Sequence, residues 1–302
     1  MPIDWVTMAI LSTVVLGAVN IIDSHLISKR MPSLQAFLLA AGIGSLVYGL
    51  IFLRFFPLQT GVGTWPLVLS VVSAIARTVS VLIVFYTLRI EEVSRVIPMA
   101  STYPIFVAII AIPLLGETLG FLEWIAIIIV AAGGVIVSIK QSPGGSTTWM
   151  GKAFFLLIAS SLLMAGANVA SKYALTYISF LNMYFITVLC MAGIFMLVSF
   201  RPRVFKELLS MRQRNSAIAL LLLDESLVVI GIVAMFWAME TGPVSLVSAI
   251  ASSRPIFVLI YALILSRTLP MFLEWQSGKL MLAIRVVAAV LIVGGISIIY
   301  LS

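Results

Sequence analysis

Ala100-Ser101-Thr102-Tyr103-Pro104-Ile105-Phe106-Val107 recurs as Ala251-Ser252-Ser253-Arg254-Pro255-Ile256-Phe257-Val258, at an offset of 151 (251 minus 100). The correspondence runs without a gap from Phe85–Trp124 onto Phe236–Trp275. Val93-Ser94 falls on Val244-Ser245, and Leu122-Glu123-Trp124 on Leu273-Glu274-Trp275. After the tryptophans the offset grows to 161 (294 minus 133), because the second copy has ten more residues before Gly294-Gly295, the counterpart of Gly133-Gly134. The copies also begin alike, since Thr13, Gly17, Asn20 and Ser24 map onto Ser161, Ala165, Asn168 and Lys172 at offset 148 (161 minus 13). The chain therefore reads as two copies of one unit, residues 1–143 and 144–302.

The solvent for these units is a bilayer. The chain is 62% hydrophobic and 10% charged, with mean hydropathy +1.22, beyond the range of water-soluble domains. About 20 apolar residues in a helix span the hydrocarbon core. Ten such spans are read: Trp5–Ser28, Leu34–Phe55, Trp65–Leu88, Val93–Leu115, Gly120–Ile139, Trp149–Tyr173, Tyr177–Phe200, Ser216–Met239, Val244–Ser266 and Leu282–Leu301. The expected fold is an all-α integral membrane protein. Five helices per copy is an odd number, so the copies insert as inverted repeats. The first span lacks the basic n-region of a signal peptide and is kept as a helix. The longest polar connection, Arg201–Asn215, has room for one amphipathic turn.

Several function classes are excluded. Cys190 is the single cysteine and His25 the single histidine, so no disulfide framework or metal cluster is expected. No phosphate-binding glycine loop, His-Glu-x-x-His or Gly-x-Ser-x-Gly is present, so no enzyme, ATPase or cofactor is expected. The formal charge of +7 lies at helix ends rather than on a nucleic-acid surface. Of the 18 Lys and Arg residues, 14 fall at odd-numbered connections and 2, Arg54 and Lys172, at even ones; the other 2, Arg77 and Arg254, are inside spans. The positive-inside rule then puts the odd connections in the cytoplasm and both termini outside it.

The motifs carry a resemblance. Pro104 in mid-helix, Gly116-Glu117 at its end, Trp124 opening the next helix and then a glycine pair, all duplicated, resemble the EamA-type ten-helix branch of the drug/metabolite transporter superfamily. The second copy departs from it with Arg267-Thr268 in place of Gly-Glu. The resemblance implies a transporter; the superfamily moves amino acids, sugars, nucleotide sugars, drugs and lipid-linked sugars. Members commonly keep both termini in the cytoplasm, opposite to the charge count here.

Polar side chains inside a bilayer are costly and mark faces lined by protein or water. Ser70, Ser73, Arg77, Ser80 and Thr87 share a face of the third span, as helix packing or as a cavity wall. Asp224 and Glu225 lie about 12 Å into the eighth span at 1.5 Å per residue. Asp224 is read as ion partner of Arg77, proton carrier, or ligand for a substrate ammonium. The prolines Pro104 and Pro255 free the carbonyls of Ala100 and Ala251, next to Ser101-Thr102-Tyr103 and Ser252-Ser253-Arg254. Paired helix breaks point to a transport site, or to kinks satisfied by the neighbouring hydroxyls. Asn20 and Asn168 could face each other across the pseudo-twofold axis, and Trp237 could stack on substrate or serve as core. Asp23 and His25 are assigned to interfacial solvation.

The expected function is a secondary transporter of a small polar metabolite, with amino acids favoured because the cavity would hold both signs of charge. The alternative is a flippase for a lipid-linked phosphate or sugar-phosphate. Partners are a small-molecule substrate, proton coupling through Asp224 being one reading, and lipids of the plasma membrane. Nucleic acid is not a partner, and the protein is a monomer or homodimer.

Overall fold

The protein, as a computed structural model, is described at residues 4–87, 96, 99–138, 151–211, 214–268 and 279–301. Its helices are α1 (Trp5–His25), α2 (Leu34–Phe55), α3 (Thr64–Thr87), α4 (Tyr103–Leu115), α5 (Phe121–Ser138), α6 (Lys152–Leu175), α7 (Phe180–Ser199), α8 (Pro202–Leu209), α9 (Arg214–Thr241), α10 (Val244–Ser252), α11 (Arg254–Thr268) and α12 (Lys279–Leu301). No strand occurs among the described residues. A π-turn over Leu26–Arg30 extends α1, which the sequence did not foretell. Residues 93–95, 97 and 98 of the expected fourth span, and Trp275 with the start of the longer ninth-to-tenth connection, lie outside the described residues.

Among the described residues, seven helical segments are long and apolar enough to cross a membrane. Shorter apolar helices run over Tyr103–Leu115, Phe121–Ile136 and Val286–Leu301. Large apolar side chains such as Trp65, Phe155 and Leu197 stand outward. In water that surface would be a defect; against lipid it costs nothing, so this is a multi-pass membrane protein.

The ends of the helices use local capping chemistry. Asp4, Ser33 and Ser179 accept from the amides of Thr7 (2.7 Å), Ala36 (3.2 Å) and Asn182 (3.3 Å) at the starts of α1, α2 and α7. Gly116 closes α4 at φ 67°, the left-handed region that glycine enters without a Cβ clash.

Helices pair across the two halves: α3 with α6, α1 with α9, α2 with α7, and α5 with α12. Hydrogen bonds give their direction. Ser73 donates to the Ala167 carbonyl (2.9 Å) while Ser80, further on, donates to the Ser160 carbonyl (2.9 Å), so α3 and α6 are antiparallel. Asn182 at the start of α7 reaches Gln59 and Pro57 beyond the end of α2, so α2 and α7 are antiparallel too. The glycine pairs interlock α5 and α12. A Cβ on Gly133 would stand 2.6 Å from Ile292, and one on Gly295 would stand 2.5 Å from Val130. Small residues let these backbones approach closely, which is how helices associate in lipid.

The basic connection between α7 and α9 forms α8, whose Val204 is buried while Phe205 and Leu209 are exposed. Ser33 donates to Glu207 (2.8 Å), as does Arg203 (3.0 Å), which ties α8 to the start of α2. Those two bonds, that from Ser33 foremost, hold the Glu207 carboxyl below the usual glutamate range.

Candidate functional site

The matched prolines sit where two helices break. Near the first, residues 101–102 form a turn before α4; near the second, Ser253 separates α10 from α11. The hydroxyls beside the prolines turn back onto their own chain: Thr102 onto the Met99 carbonyl (2.7 Å), Ser252 onto Ala249 (2.7 Å) and Ser253 onto Ile250 (2.6 Å). They satisfy carbonyls at the breaks. Gly134 of α5 approaches closely here, since a Cβ on it would meet the Ser252 carbonyl at 2.8 Å and the Ser101 Cβ at 3.9 Å.

Arg77 reaches toward this region from α3. Its Nη2 donates to Asn168 Oδ1 (2.8 Å) and Ser171 Oγ (3.4 Å), and its Nη1 points at Met164 Sδ (3.7 Å). The guanidinium carbon lies 5.5 Å from the centre of the Phe236 ring. Asn168 in turn donates from Nδ2 to Ser248 Oγ (3.0 Å), and the Tyr103 hydroxyl donates to the Ser248 carbonyl (3.3 Å). One polar chain thus links α3, α6, α10 and α4. Tyr103 lies within electrostatic reach of both Arg77 and Arg254, which opens α11. The Nε atoms of Arg77 and Arg254 are buried and have no hydrogen-bond partner.

The expected ion pair between Arg77 and Asp224 does not form. The carboxyl of Asp224 lies against that of Asp23 in α1, with Glu225 beside it and Ser45 donating to Glu225 (3.0 Å). The reason is helix rotation. Arg77 is directed to α6 by the pairing of α3, whereas α9 pairs with α1 and carries its acids there. Asp23 is therefore not merely interfacial, while His25, as expected, is near a helix end, accepting from Arg30 Nε (3.2 Å). Asn20 is exposed and does not join Asn168. Trp237 is half-buried, and the ring facing Arg77 is that of its neighbour Phe236. The serines at 73 and 80 bond to α6, which is the packing reading of that face.

Sequence reasoning missed Ser248, Ser171, Met164 and Phe236. A signal existed for the first two: Ser245, Ser248 and Ser252 recur on one face of α10, as Met164, Asn168 and Ser171 do on α6.

Further from this centre, charges cap helix ends. Glu117 accepts from the amides of Val244 (2.6 Å) and Ser245 (3.3 Å) and from the Ser245 hydroxyl, at the N-terminus of α10. Lys172 donates to the carbonyls of Met239 (2.7 Å), Glu240 (3.2 Å) and Gly242 (2.9 Å) at the end of α9.

Residues 4–139 match the model of the EamA-like transporter family. A solved crystal structure matches the chain over nearly its whole length. The two are 19% identical, with a TM-score of 0.71, covering 98% of this chain and 95% of that one. That likeness is one of fold. No curated protein matches the sequence. The proteins of that family are membrane transporters, and the Glu117 cap shows what Gly116-Glu117 does in the matched region: it ends α4 and anchors the start of α10.

Proposed function

We propose that the protein is a secondary transporter that moves a small polar metabolite across the plasma membrane by alternating access. In this reading residues 1–143 and 144–302 are inverted five-helix repeats that rock against each other, and the protein is not an enzyme. The antiparallel pairing of the equivalent helices α2 with α7 and α5 with α12 supports inversion, because an axis in the membrane plane requires it.

The observation that carries the transport reading is the chain Arg77–Asn168–Ser248–Tyr103, which brings both halves together beside two broken helices. Polar groups at such breaks are the expected place for solute. Arg77, Tyr103, Asn168 and Arg254 form its centre. Asn20 and Trp237 have no support as ligands, and Ser101, Thr102, Ser252 and Ser253 shape the breaks. The amino-acid preference rested on opposite charges sharing one cavity; with the acids gathered on α1 and α9, that ground is gone.

A lipid substrate remains the second reading. A groove of about 300 Å³ between α1 and α12, lined by Val6, Ile10, Ile296, Ser297, Tyr300 and Leu301, suits an acyl chain. Reconstitution in proteoliposomes decides. Protein-dependent uptake of a water-soluble metabolite, reduced by Asn168→Ala, supports the first reading. Headgroup movement without solute uptake supports the second, and neither activity overturns both.

A further inference from the structure

We propose that Arg77 and Arg254 together form a subsite for an oxyanion, a carboxylate or phosphate, carried by the transported molecule. The inference rests on the transport reading and adds the charge of the substrate to it.

Two guanidiniums in the middle of an apolar bundle need counter-charge, since leaving a buried charge uncompensated is strongly destabilising. Among the described residues no carboxylate is seen to pair with either arginine. Among the described residues the carboxylates lie elsewhere: Glu117 at the start of α10, Glu123 on the Gly120 amide (2.6 Å), Glu207 with Ser33 and Arg203, Glu240 with the Phe180 amide (3.3 Å), Asp4 with Thr7, Glu225 with Ser45, and Asp224 beside Asp23, with its Oδ1 buried and without a hydrogen-bond partner. Arg203–Glu207 is the one salt bridge among the described residues. Arg77 has neutral partners that orient it, namely Asn168, Ser171 and the Phe236 ring. Its Nε, and that of Arg254, keep an unused donor in the interior.

The two cations are close enough to act on each other and on the Tyr103 phenol. Like charges repel, and an anion between them offsets that repulsion by attracting both. A planar guanidinium presents paired N–H groups that match carboxylate and phosphate oxygens. The repeat carries the same implication: Arg254 occupies the position of Tyr103, at offset 151 (254 minus 103), so one half brings a cation where the other brings a hydroxyl.

The full-length protein in nanodiscs tests this by thermal unfolding. Inorganic phosphate, succinate and glutamate are added separately, with glucose and choline as neutral and cationic controls. Binding of at least one anion is expected to raise Tm by a few degrees at about a hundredfold its Kd. Arg254→Met should weaken that binding about 10- to 100-fold, and Arg254→Lys less. Without ligand, Arg254→Met should unfold at the wild-type temperature or above, because an uncompensated charge has been removed. A lower Tm for that variant, or anion binding that it leaves unchanged, overturns the subsite, as does stabilisation by choline or glucose alone. Nanodiscs with and without phosphatidylglycerol separate the sources: stabilisation by that lipid and not by free anions, lost in Arg254→Met, makes the oxyanion a lipid headgroup. No response to any anion or lipid overturns the subsite while leaving the transport reading to the flux assay.

Discussion

The carboxyl of Asp23, near the end of α1, lies against the carboxyl of Asp224 in α9, although 201 residues separate them (224 minus 23). Two carboxylates this close repel each other unless a proton is shared between them. Glu225 from α9 stands beside the pair and accepts a hydrogen bond from Ser45 of α2. Asp224→Asn keeps the shape and removes the exchangeable proton. Flux driven by a pH gradient in proteoliposomes should disappear in this variant while solute exchange at equal pH continues; retained pH drive would make the pair purely structural.

The charge count predicts sidedness. In a Cys190→Ser background, Ser210→Cys, just after α8, should be shielded from an impermeant thiol reagent in intact cells, and Thr60→Cys, between α2 and α3, should react. Both positions are exposed. The reverse labelling pattern puts both termini in the cytoplasm.

The contact of α8 with α2 should depend on pH. The Glu207 carboxyl is depressed in the folded protein, so its contribution is complete above the ordinary glutamate value of about 4.3 and fades as pH falls through the lower folded-state value. Amide protection factors over 202–209 should fall below about pH 4. Glu207→Gln should lower them at neutral pH and flatten the dependence. A wild-type profile that is flat to pH 3 speaks against the Ser33–Glu207 link.

Glycines should differ sharply in tolerance. At Gly134 an added Cβ meets the Ser252 carbonyl at 2.8 Å, and backbone cannot swing aside. Gly134→Ala should cost about 1–3 kcal/mol. Gly166 in α6 has nothing within 4 Å, so Gly166→Ala should be neutral or stabilise by up to about 1 kcal/mol. Unfolding in mixed micelles compares them, and equal effects would contradict the close approach of α5 to the second break.

Much of the architecture was legible because it is written in chain-local terms. Apolar length gave the spans, and the duplicated proline motif located the breaks after Thr102 and at Ser253. The partners of Arg77 and Asp224 were not legible. Periodicity fixes which residues share a face, but not how far one helix is rotated toward its neighbour. Both residues were placed inside the bundle, yet α3 turns Arg77 to α6 and α9 turns Asp224 to α1. The equivalence of Asn20 and Asn168 misled for a related reason: a pseudo-axis relates positions without bringing them into contact.

The interlock of Gly133 with Ile292 and of Gly295 with Val130 joins two halves that belong to one polypeptide. Association there is intramolecular, so the partner helix is present at an effective concentration fixed by the chain rather than by the amount of protein in the membrane. Dilution into excess lipid cannot part the halves. Damage to the seam would accordingly loosen a contact within one chain, never release a subunit.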